Sequence, residues 1–266
     1  MFLINGEYQS HLPANDRSIQ FGDGCFTTAR ITAGEVRFLS QHIARLQQAC
    51  QRLAIPFTQW QILETEMSEM ARSHNTAVLK VIISRGSGGR GYNPAQCEYP
   101  VRILSVSGFP SFYTEWKTNG ITLALSSVQM GINPSLAGIK HLNRLEQVLI
   151  RAELEQTNQH EAIVLDSDGM MVECCAANLF WREGDSVYTP YVNRSGVNGT
   201  MRQHIMAELA QQGRVVHQVR AKPDALLHAD EAFICNALMP IIPVRQAITT
   251  RYTSRELFTS LAPLCE

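Results

Sequence analysis

Leu136-Ala-Gly-Ile-Lys140-His-Leu-Asn-Arg-Leu-Glu146, followed by Glu161-Ala-Ile-Val-Leu-Asp166 and Met171-Val-Glu173-Cys-Cys-Ala-Ala-Asn178, is the part of the chain on which its reading turns. A lysine closes an apolar segment just ahead of a helical pattern spanning Asn143 to Gln156, in which Leu145, Leu149 and Ala152 are spaced to face inward. Beyond that helix an Asp166-Ser-Asp-Gly169 turn joins two apolar runs, expected as strands at 161–166 and 170–174. Glu173 stands at the end of the second.

A lysine and an acid so arranged are two of the parts that a pyridoxal phosphate site needs. A Schiff-base lysine must reach the aldehyde as a neutral amine, which partial desolvation promotes. The cofactor is an electron sink, and a carboxylate beside its pyridine nitrogen, here Glu173, keeps that nitrogen protonated so that charge flows into the ring. On residue chemistry alone the pair is weak evidence, because most lysines are solvated surface charges and a glutamate at a strand end is ordinary.

Three further runs sharpen the choice: Phe21-Gly-Asp-Gly-Cys-Phe-Thr-Thr-Ala-Arg30, Ile83-Ser-Arg-Gly-Ser-Gly-Gly-Arg-Gly-Tyr92 and Ala137-Gly-Ile-Lys-His-Leu-Asn-Arg-Leu-Glu-Gln147. With Glu173 to Asn178 they resemble the fold-type IV pyridoxal phosphate enzymes of the class-IV aminotransferase family, which includes branched-chain and D-amino-acid aminotransferases. The similarity runs from Met1 almost to Glu266. Within the family it leans toward the lyases that convert 4-amino-4-deoxychorismate to p-aminobenzoate and pyruvate. The resemblance implies an α+β fold of two lobes, D-amino-acid aminotransferase-like, with pyridoxal 5'-phosphate in the cleft between them. The smaller N-terminal lobe is expected over 1–110, a linker over 111–120 and the larger cofactor-binding lobe over 121–266. A homodimer is also implied, because family sites draw loops from the partner.

Composition sets the outer bounds. At 266 residues the chain can bury a substantial core. Charged residues are only 18% against 45% hydrophobic, which excludes a disordered chain. A net charge of −1 with interspersed signs gives no reason to expect a nucleic-acid or membrane partner. Seven cysteines without Cys-x-x-Cys spacing read as reduced, buried thiols of a cytoplasmic protein. The N-terminus lacks the basic region of a signal peptide, and no apolar run is long enough for a membrane span.

Taken in order, residues 2–8 predict a strand entering an Asn5-Gly6 hairpin turn. Ser18 to Arg30 predicts a turn leading into a strand, and Ala33-Gly-Glu35 another turn. Helices are expected over Gln41 to Ile55, ended by Pro56, and over Thr58 to Ser73. Ala77 to Ser84 and Val101 to Ser107 predict strands flanking a glycine-rich turn. Gly108-Phe-Pro-Ser-Phe-Tyr-Thr-Glu115 breaks both periodicities and predicts irregular chain. After it come expected strands at 121–129, 178–183, 187–190, 215–221 and 231–236, and helices at 200–212 and 253–261.

The cofactor's phosphate, with about two negative charges, needs a cation and backbone donors. Arg45 stands where the family has its phosphate-binding arginine, and a guanidinium grips two oxygens at once. A solvated arginine on an amphipathic helix has the same spacing. Gly196-Val-Asn-Gly199-Thr-Met-Arg202 precedes a helix whose free N–H groups form an anion site. It resembles the family's phosphate turn, which implies the amides of Thr200 and Met201 after Gly199. The resemblance further implies Asn178, Asn236 and the amide of Ala237 as cofactor-side residues. Where branched-chain enzymes have a ring-contacting tyrosine, this chain has Leu145, which disfavours that branch.

Arg85 to Tyr92 contains Gly-x-Gly-x-x-Gly, but Asn93-Pro94 and a strand follow where a dinucleotide site requires a helix. The glycines therefore read as a hairpin turn. The resemblance implies a different use: Arg90 and Tyr92 stand where D-amino-acid enzymes trap the substrate carboxylate. Phe26 and Thr28 fall on the substrate-facing strand, and Thr28 is a candidate proton relay to the departing enolpyruvyl group, although threonines are also simply good strand formers. His42 and His141 are expected to pack or cap. No nucleophile elbow, zinc-type helix or spaced His/Cys cluster is present, so no metal is expected. The competing readings are a D-amino-acid or branched-chain aminotransferase on the same scaffold and a non-catalytic binder of phosphate ligands.

Overall fold

Asn5 and Gly6 both adopt left-handed backbone (φ 51° and 90°) and turn β1 (Phe2–Ile4) back onto β2 (Glu7–Gln9), as an Asn-Gly hairpin requires. The computed structural model, which describes residues 1–266, continues with a short α1 (Arg17–Phe21) where sequence predicts only a turn. The Asp16 side chain caps this helix by accepting from Ser18 N. Then follow β3 (Gly24–Thr32), β4 (Glu35–Val36), α2 (Leu39–Arg52), α3 (Trp60–Ala71), β5 (Thr76–Ser84) and β6 (Val101–Ser107). The six strands form one antiparallel sheet in the order β2-β1-β6-β5-β3-β4.

Period-two alternation explains how this sheet is covered. Cys25, Ala29 and Ile31 of β3 and Ala77, Leu79, Val81 and Ile83 of β5 are buried, and α2 and α3 pack against these strands. Helix α2 ends ahead of Pro56 for a reason the sequence conceals: Ala54 is left-handed (φ 52°), and Arg85 donates to the Leu53 and Ala54 carbonyls at 2.7 and 2.6 Å. Those bonds satisfy carbonyls the helix end leaves open.

The chain separates into two units. The first is Met1–Phe109 together with Lys140–Asn143, and the second is Pro110–Ile139 with Arg144–Glu266. Four residues around the lysine thus belong with the N-terminal strands, which no composition shift announces. In the second unit the segment expected to be irregular is a helix, α4 (Phe112–Asn119), whose Phe112, Tyr113 and Trp116 rings pack on one another.

The second unit continues through β7 (Ile121–Leu125), α5 (Leu145–Leu154), β8 (Glu161–Leu165), β9 (Met171–Cys174), β10 (Asn178–Glu183), β11 (Ser186–Pro190), α6 (Thr200–Gln211), β12 (Val216–Val219), β13 (Glu231–Cys235), β14 (Ile242–Ala247), β15 (Thr250–Arg251) and α7 (Glu256–Leu261). Eight strands run in the order β12-β11-β10-β13-β14-β7-β8-β9, with β15 on β14. Ile121, Leu123, Ile163, Leu179, Trp181, Ile234 and Val244 form its core. Strand β14 is central yet absent from the sequence expectations, because Pro240 and Pro243 argue against a central strand. Pro243 nevertheless pairs in register with Phe233.

Two expectations need correction. Strand β7 stops at Leu125, where the Ser126 hydroxyl turns to Glu153 Oε2 at 2.5 Å instead of continuing to Gln129. On α5 the buried residues are Ile150 and Leu154, whereas Leu145 and Leu149 are 71% and 51% exposed. With Val148 they form an outward apolar stripe at helical spacing. All seven cysteines are free thiols, six of them buried, and no helix is long and apolar enough to cross a membrane.

Glu161 opens β8 fully buried, its carboxylate accepting from Ala162 N at 2.9 Å and Ala176 N at 3.0 Å. Burial pushes its carboxyl from an ordinary 4.5 up to about 7, against the pull of those backbone donors. The folded state therefore holds this proton more tightly than the unfolded chain. Its contribution is complete below about 4.5 and is lost as pH rises through about 7. In thermal melts at pH about 5 and about 8, the stability of wild type relative to Glu161→Gln should shrink at the higher pH. An equal difference at both would contradict this.

Candidate active site

Strand β3 pairs with β5 along one side, and on its other side β4 covers only Ile31 and Thr32. The opening of that edge is taken by the lysine segment. Phe26 N donates to Lys140 O at 2.9 Å, Leu142 N donates to Gly24 O at 3.0 Å, and Cys25 bridges His141 in antiparallel register. Gly22 and Gly24 make the approach possible. A Cβ on Gly22, which is left-handed at φ 62°, would lie 2.5 Å from Asn143 Oδ1, and one on Gly24 would lie 2.7 Å from Leu142 Cδ1.

Pairing fixes which way each side chain points. Lys140 falls on the same face as Phe26, its Nζ 4.8 Å from the ring centroid, and is half-buried. Alternation puts Thr28 on that face too. Its register partner on β5 is Lys80, whose Nζ lies 5.3 Å from the same Phe26 ring. Lys80 was missed by sequence reading, since a polar residue in an apolar strand gains meaning only once the register is known.

The opposite face of β3 meets α2. Thr27 Oγ1 lies 2.6 Å from the Nδ1 of buried His42, and Arg45 Nη1 donates to Thr27 Oγ1 at 3.4 Å. Burial, helped by the Arg45 charge, pushes His42 down to about 3, so it is neutral near pH 7. The Thr27 hydroxyl thus shares one hydrogen bond with the neutral His42 ring, and its oxygen also accepts from Arg45. His42 is packed, as the sequence suggested, and its contact with Thr27 is a finding of the fold. Thr27, which Arg45 reaches, and Thr28 point to opposite faces of the strand.

Arg90 and Tyr92 stand exposed on the glycine loop, Tyr92 with its ring 5.4 Å from that of Phe21. No helix follows this loop, so the dinucleotide motif lacks the element it requires.

In the second unit Glu173 is buried, and its Oε2 accepts from Val197 N at 2.9 Å and Asn178 Nδ2 at 3.3 Å. Asn178 Nδ2 also donates to Val197 O at 2.9 Å. Gly196 permits this close approach: it is left-handed (φ 82°), and a Cβ there would lie 2.5 Å from Val172 Cγ1 and 3.4 Å from Glu173 Oε2. A Cβ on Gly199 would overlap Asn178 Oδ1. Burial lowers the Arg144 pKa, while the charges of Glu173 and Glu146 oppose that shift. Arg144 also donates to Ile139 O at 2.9 Å, next to the lysine in the chain.

Helix α6 starts just past Gly199 with no side-chain cap, which leaves its first amides, those of Thr200 and Met201 among them, without a side-chain acceptor, as an anion site requires. The Thr200 hydroxyl is buried with no hydrogen-bond partner. A phosphate oxygen would satisfy it. The carboxylate held by Glu173, the donors opening α6 and the half-buried Lys140 amine therefore match a pyridine nitrogen, a phosphate and an aldehyde in chemical kind. The Asn236 Oδ1 accepts from Leu238 N and Met239 N, both at 2.8 Å, and its Nδ2 donates to Ala176 O at 2.9 Å. That side chain braces a turn, while Ala237 beside it is half-buried.

Comparison with known proteins is consistent with this chemistry. Residues 24–247 match the family described as Amino-transferase class IV. The chain is 39% identical to the aminodeoxychorismate lyase of Vibrio harveyi over 92% of its own length and 90% of that protein. It is also similar to the crystal structure of 4-amino-4-deoxychorismate lyase from Pseudomonas aeruginosa, with a TM-score of 0.94 and 34% identity, covering 99% of this chain and 97% of that one. The pyridoxal phosphate-bound form of a hypothetical aminotransferase from Mycobacterium tuberculosis shares the fold, at a TM-score of 0.83 and 17% identity over 97% and 92% of the two chains.

Replacing Thr27 with valine keeps the strand preference but strips the hydroxyl from buried His42 and from Arg45. Urea denaturation should show a loss of about 1–3 kcal/mol, the cost of leaving buried polar groups unmade. Thr27→Ser should recover most of it. A valine variant as stable as wild type would contradict the role given to the hydroxyl.

Proposed function

Since the chain belongs to the Amino-transferase class IV family, we propose that it is a pyridoxal phosphate-dependent lyase that converts 4-amino-4-deoxychorismate to p-aminobenzoate and pyruvate, supplying folate biosynthesis. The observation that carries the reading is Lys140, laid along β3 with its amine against Phe26 and on the same face as Thr28. Its similarity to the Vibrio harveyi and Pseudomonas aeruginosa lyases supports the choice of reaction.

Pyridoxal phosphate, when bound, supplies an electron sink for the pair released at the substrate carbon. Arg45 and the amides of Thr200 and Met201 after Gly199 would hold its phosphate, with the Ala237 amide contributing nearby. Glu173, kept in place by Val197 N and Asn178, would keep its ring nitrogen protonated. The Lys140 amine takes the proton from the amine-bearing ring carbon, the atom to which it is already delivered. The bond from the neighbouring carbon to the enolpyruvyl oxygen then breaks. Lys140 or the Thr28 hydroxyl returns one proton to the departing methylene carbon, which becomes the methyl of pyruvate. The ring left behind is aromatic, which makes reversal difficult. Arg90 holds a substrate carboxylate with Tyr92 shaping the same side, and Lys80 adds a cation on the Phe26 and Thr28 face.

Two finer statements belong to the same proposal. The exposed Leu145, Val148 and Leu149 stripe supports a homodimer in which a second copy covers it. Free cysteines, most of them buried, support a cytoplasmic location.

The test uses purified protein with pyridoxal phosphate and 4-amino-4-deoxychorismate but no keto acid, following p-aminobenzoate and pyruvate together. Equal release of the two, abolished in Lys140→Ala, is expected. A cofactor absorbance band with neither product formed unless a keto acid is added would move the function to the aminotransferases. Absence of any band would remove the cofactor assignment, leaving a binder of phosphate ligands.

A further inference from the structure

The glycine loop that displays Arg90 and Tyr92 is gripped at both ends by one buried residue, by its backbone at one end and its side chain at the other. The Arg17 backbone N–H donates to Gly86 O at 3.0 Å, where the loop opens. Where it closes, Arg17 Nη1 donates to Gly91 O at 2.8 Å and Nη2 to Tyr92 O at 3.4 Å. The guanidinium also lies 4.8 Å from the Phe21 ring on which Tyr92 packs.

Asp23 anchors that grip. One oxygen, Oδ2, accepts from Arg17 Nε at 2.8 Å and from Arg85 Nε at 2.7 Å, and Arg85 is the residue from which the loop departs. Burial alone would raise the Asp23 carboxyl, but Arg85 and Arg17 outweigh it and hold it below the ordinary range. The need for such an anchor follows from the loop's composition. Gly86, Gly88, Gly89 and Gly91 are all left-handed, and glycine-rich chain has much conformational freedom to lose on ordering. Arg17 and Asp23 remove that freedom in advance.

We propose that Arg17 and Asp23 are positioning residues for substrate recognition, holding the glycine loop so that Arg90 and Tyr92 are set before the substrate's carboxylate arrives. This rests on the lyase reading, in which those two residues meet the substrate. It gives the Phe21-Gly-Asp-Gly motif two tasks: its glycines admit the lysine segment, and its aspartate sets the loop. Binding then does not bear the cost of ordering the loop.

The experiment compares full-length holoenzymes carrying Arg17→Lys, Asp23→Asn, Arg90→Met and the Arg17→Lys/Arg90→Met pair. Circular dichroism and cofactor titration serve as controls for folding and loading. Lysine keeps the charge of Arg17 but lacks the rigid planar fork whose Nε, Nη1 and Nη2 reach Asp23 and the Gly91 and Tyr92 carbonyls separately. Should Arg17→Lys not fold, Asp23→Asn carries the test. Either variant should speed amide exchange in residues 86–93 and raise KM roughly tenfold or more, the order expected for a misplaced substrate-holding group. Cofactor affinity should be unchanged and kcat within about threefold. In the Arg90→Met background Arg17→Lys should raise KM no further, because the group it positions is gone.

Faster exchange with an unchanged KM would overturn the proposal, leaving Arg17 a brace of the fold alone. So would an Arg17→Lys effect as large without Arg90 as with it. Wild-type protein that releases neither product is a different result: it overturns the lyase reading beneath the proposal, whatever the exchange rates.

Discussion

Two backbone hydrogen bonds at the open edge of β3, Phe26 N to Lys140 O and Leu142 N to Gly24 O, decide what the first unit can do. A lysine on a long, flexible stem is a poor catalytic group unless its backbone is fixed, because every rotamer left free dilutes the one that reacts. Strand pairing fixes it and selects a face in the same stroke, since a slip of one residue would send the amine to the opposite side of the sheet. The glycines at 22 and 24 serve this pairing, for a side chain at either would collide with the incoming segment. The alternation of β3 then divides its labour. Phe26 and Thr28 share the lysine's face, while Cys25, Thr27 and Ala29 turn toward α2, where Thr27 and His42 orient Arg45.

The second unit applies the same device to different chemistry. Gly196 and Gly199 let the 196–199 turn close onto Glu173 and Asn178, so that a buried carboxylate gains two donors and α6 opens with unpaired amides. Gly138, two residues before Lys140 in the chain, pairs with Val197, whose amide donates to Glu173. Arg144, four residues after the lysine, holds the Ile139 carbonyl. The lysine is therefore flanked on both sides along the chain by residues fixed within the second unit. Buried carboxylates need such partners, since an unpaired buried charge is costly.

What could be read from the sequence follows from the physics of each feature. The Asn5-Gly6 hairpin, the amphipathic α2 and α3, and most strands were legible because their signals are local. Strand β14 was not, since Pro243 within it and Pro240 just ahead of it argue against a central position that tertiary pairing enforces. Helix α4 was hidden by Pro110 and a weak period. The face of α5 was misread because apolar spacing announces burial without saying against what, and here Leu145 and Leu149 point away from their own chain. Among site residues, the motifs pointed to Lys140, Glu173 and the 199–201 turn. Lys80 and the Thr27–His42 pair emerge only from register, which is long-range information. The bracing of its own turn by the Asn236 side chain likewise emerges only from the folded chain.

Lys140 and Lys80 both direct an amine at the Phe26 ring, at 4.8 and 5.3 Å, so the central claim reduces to which of them carries the cofactor. The decisive measurement is borohydride reduction of the protein charged with pyridoxal phosphate, followed by peptide mass mapping. The account predicts one modified peptide, labelled at Lys140, and no label on Lys80. Label at Lys80, or at neither lysine, would contradict it.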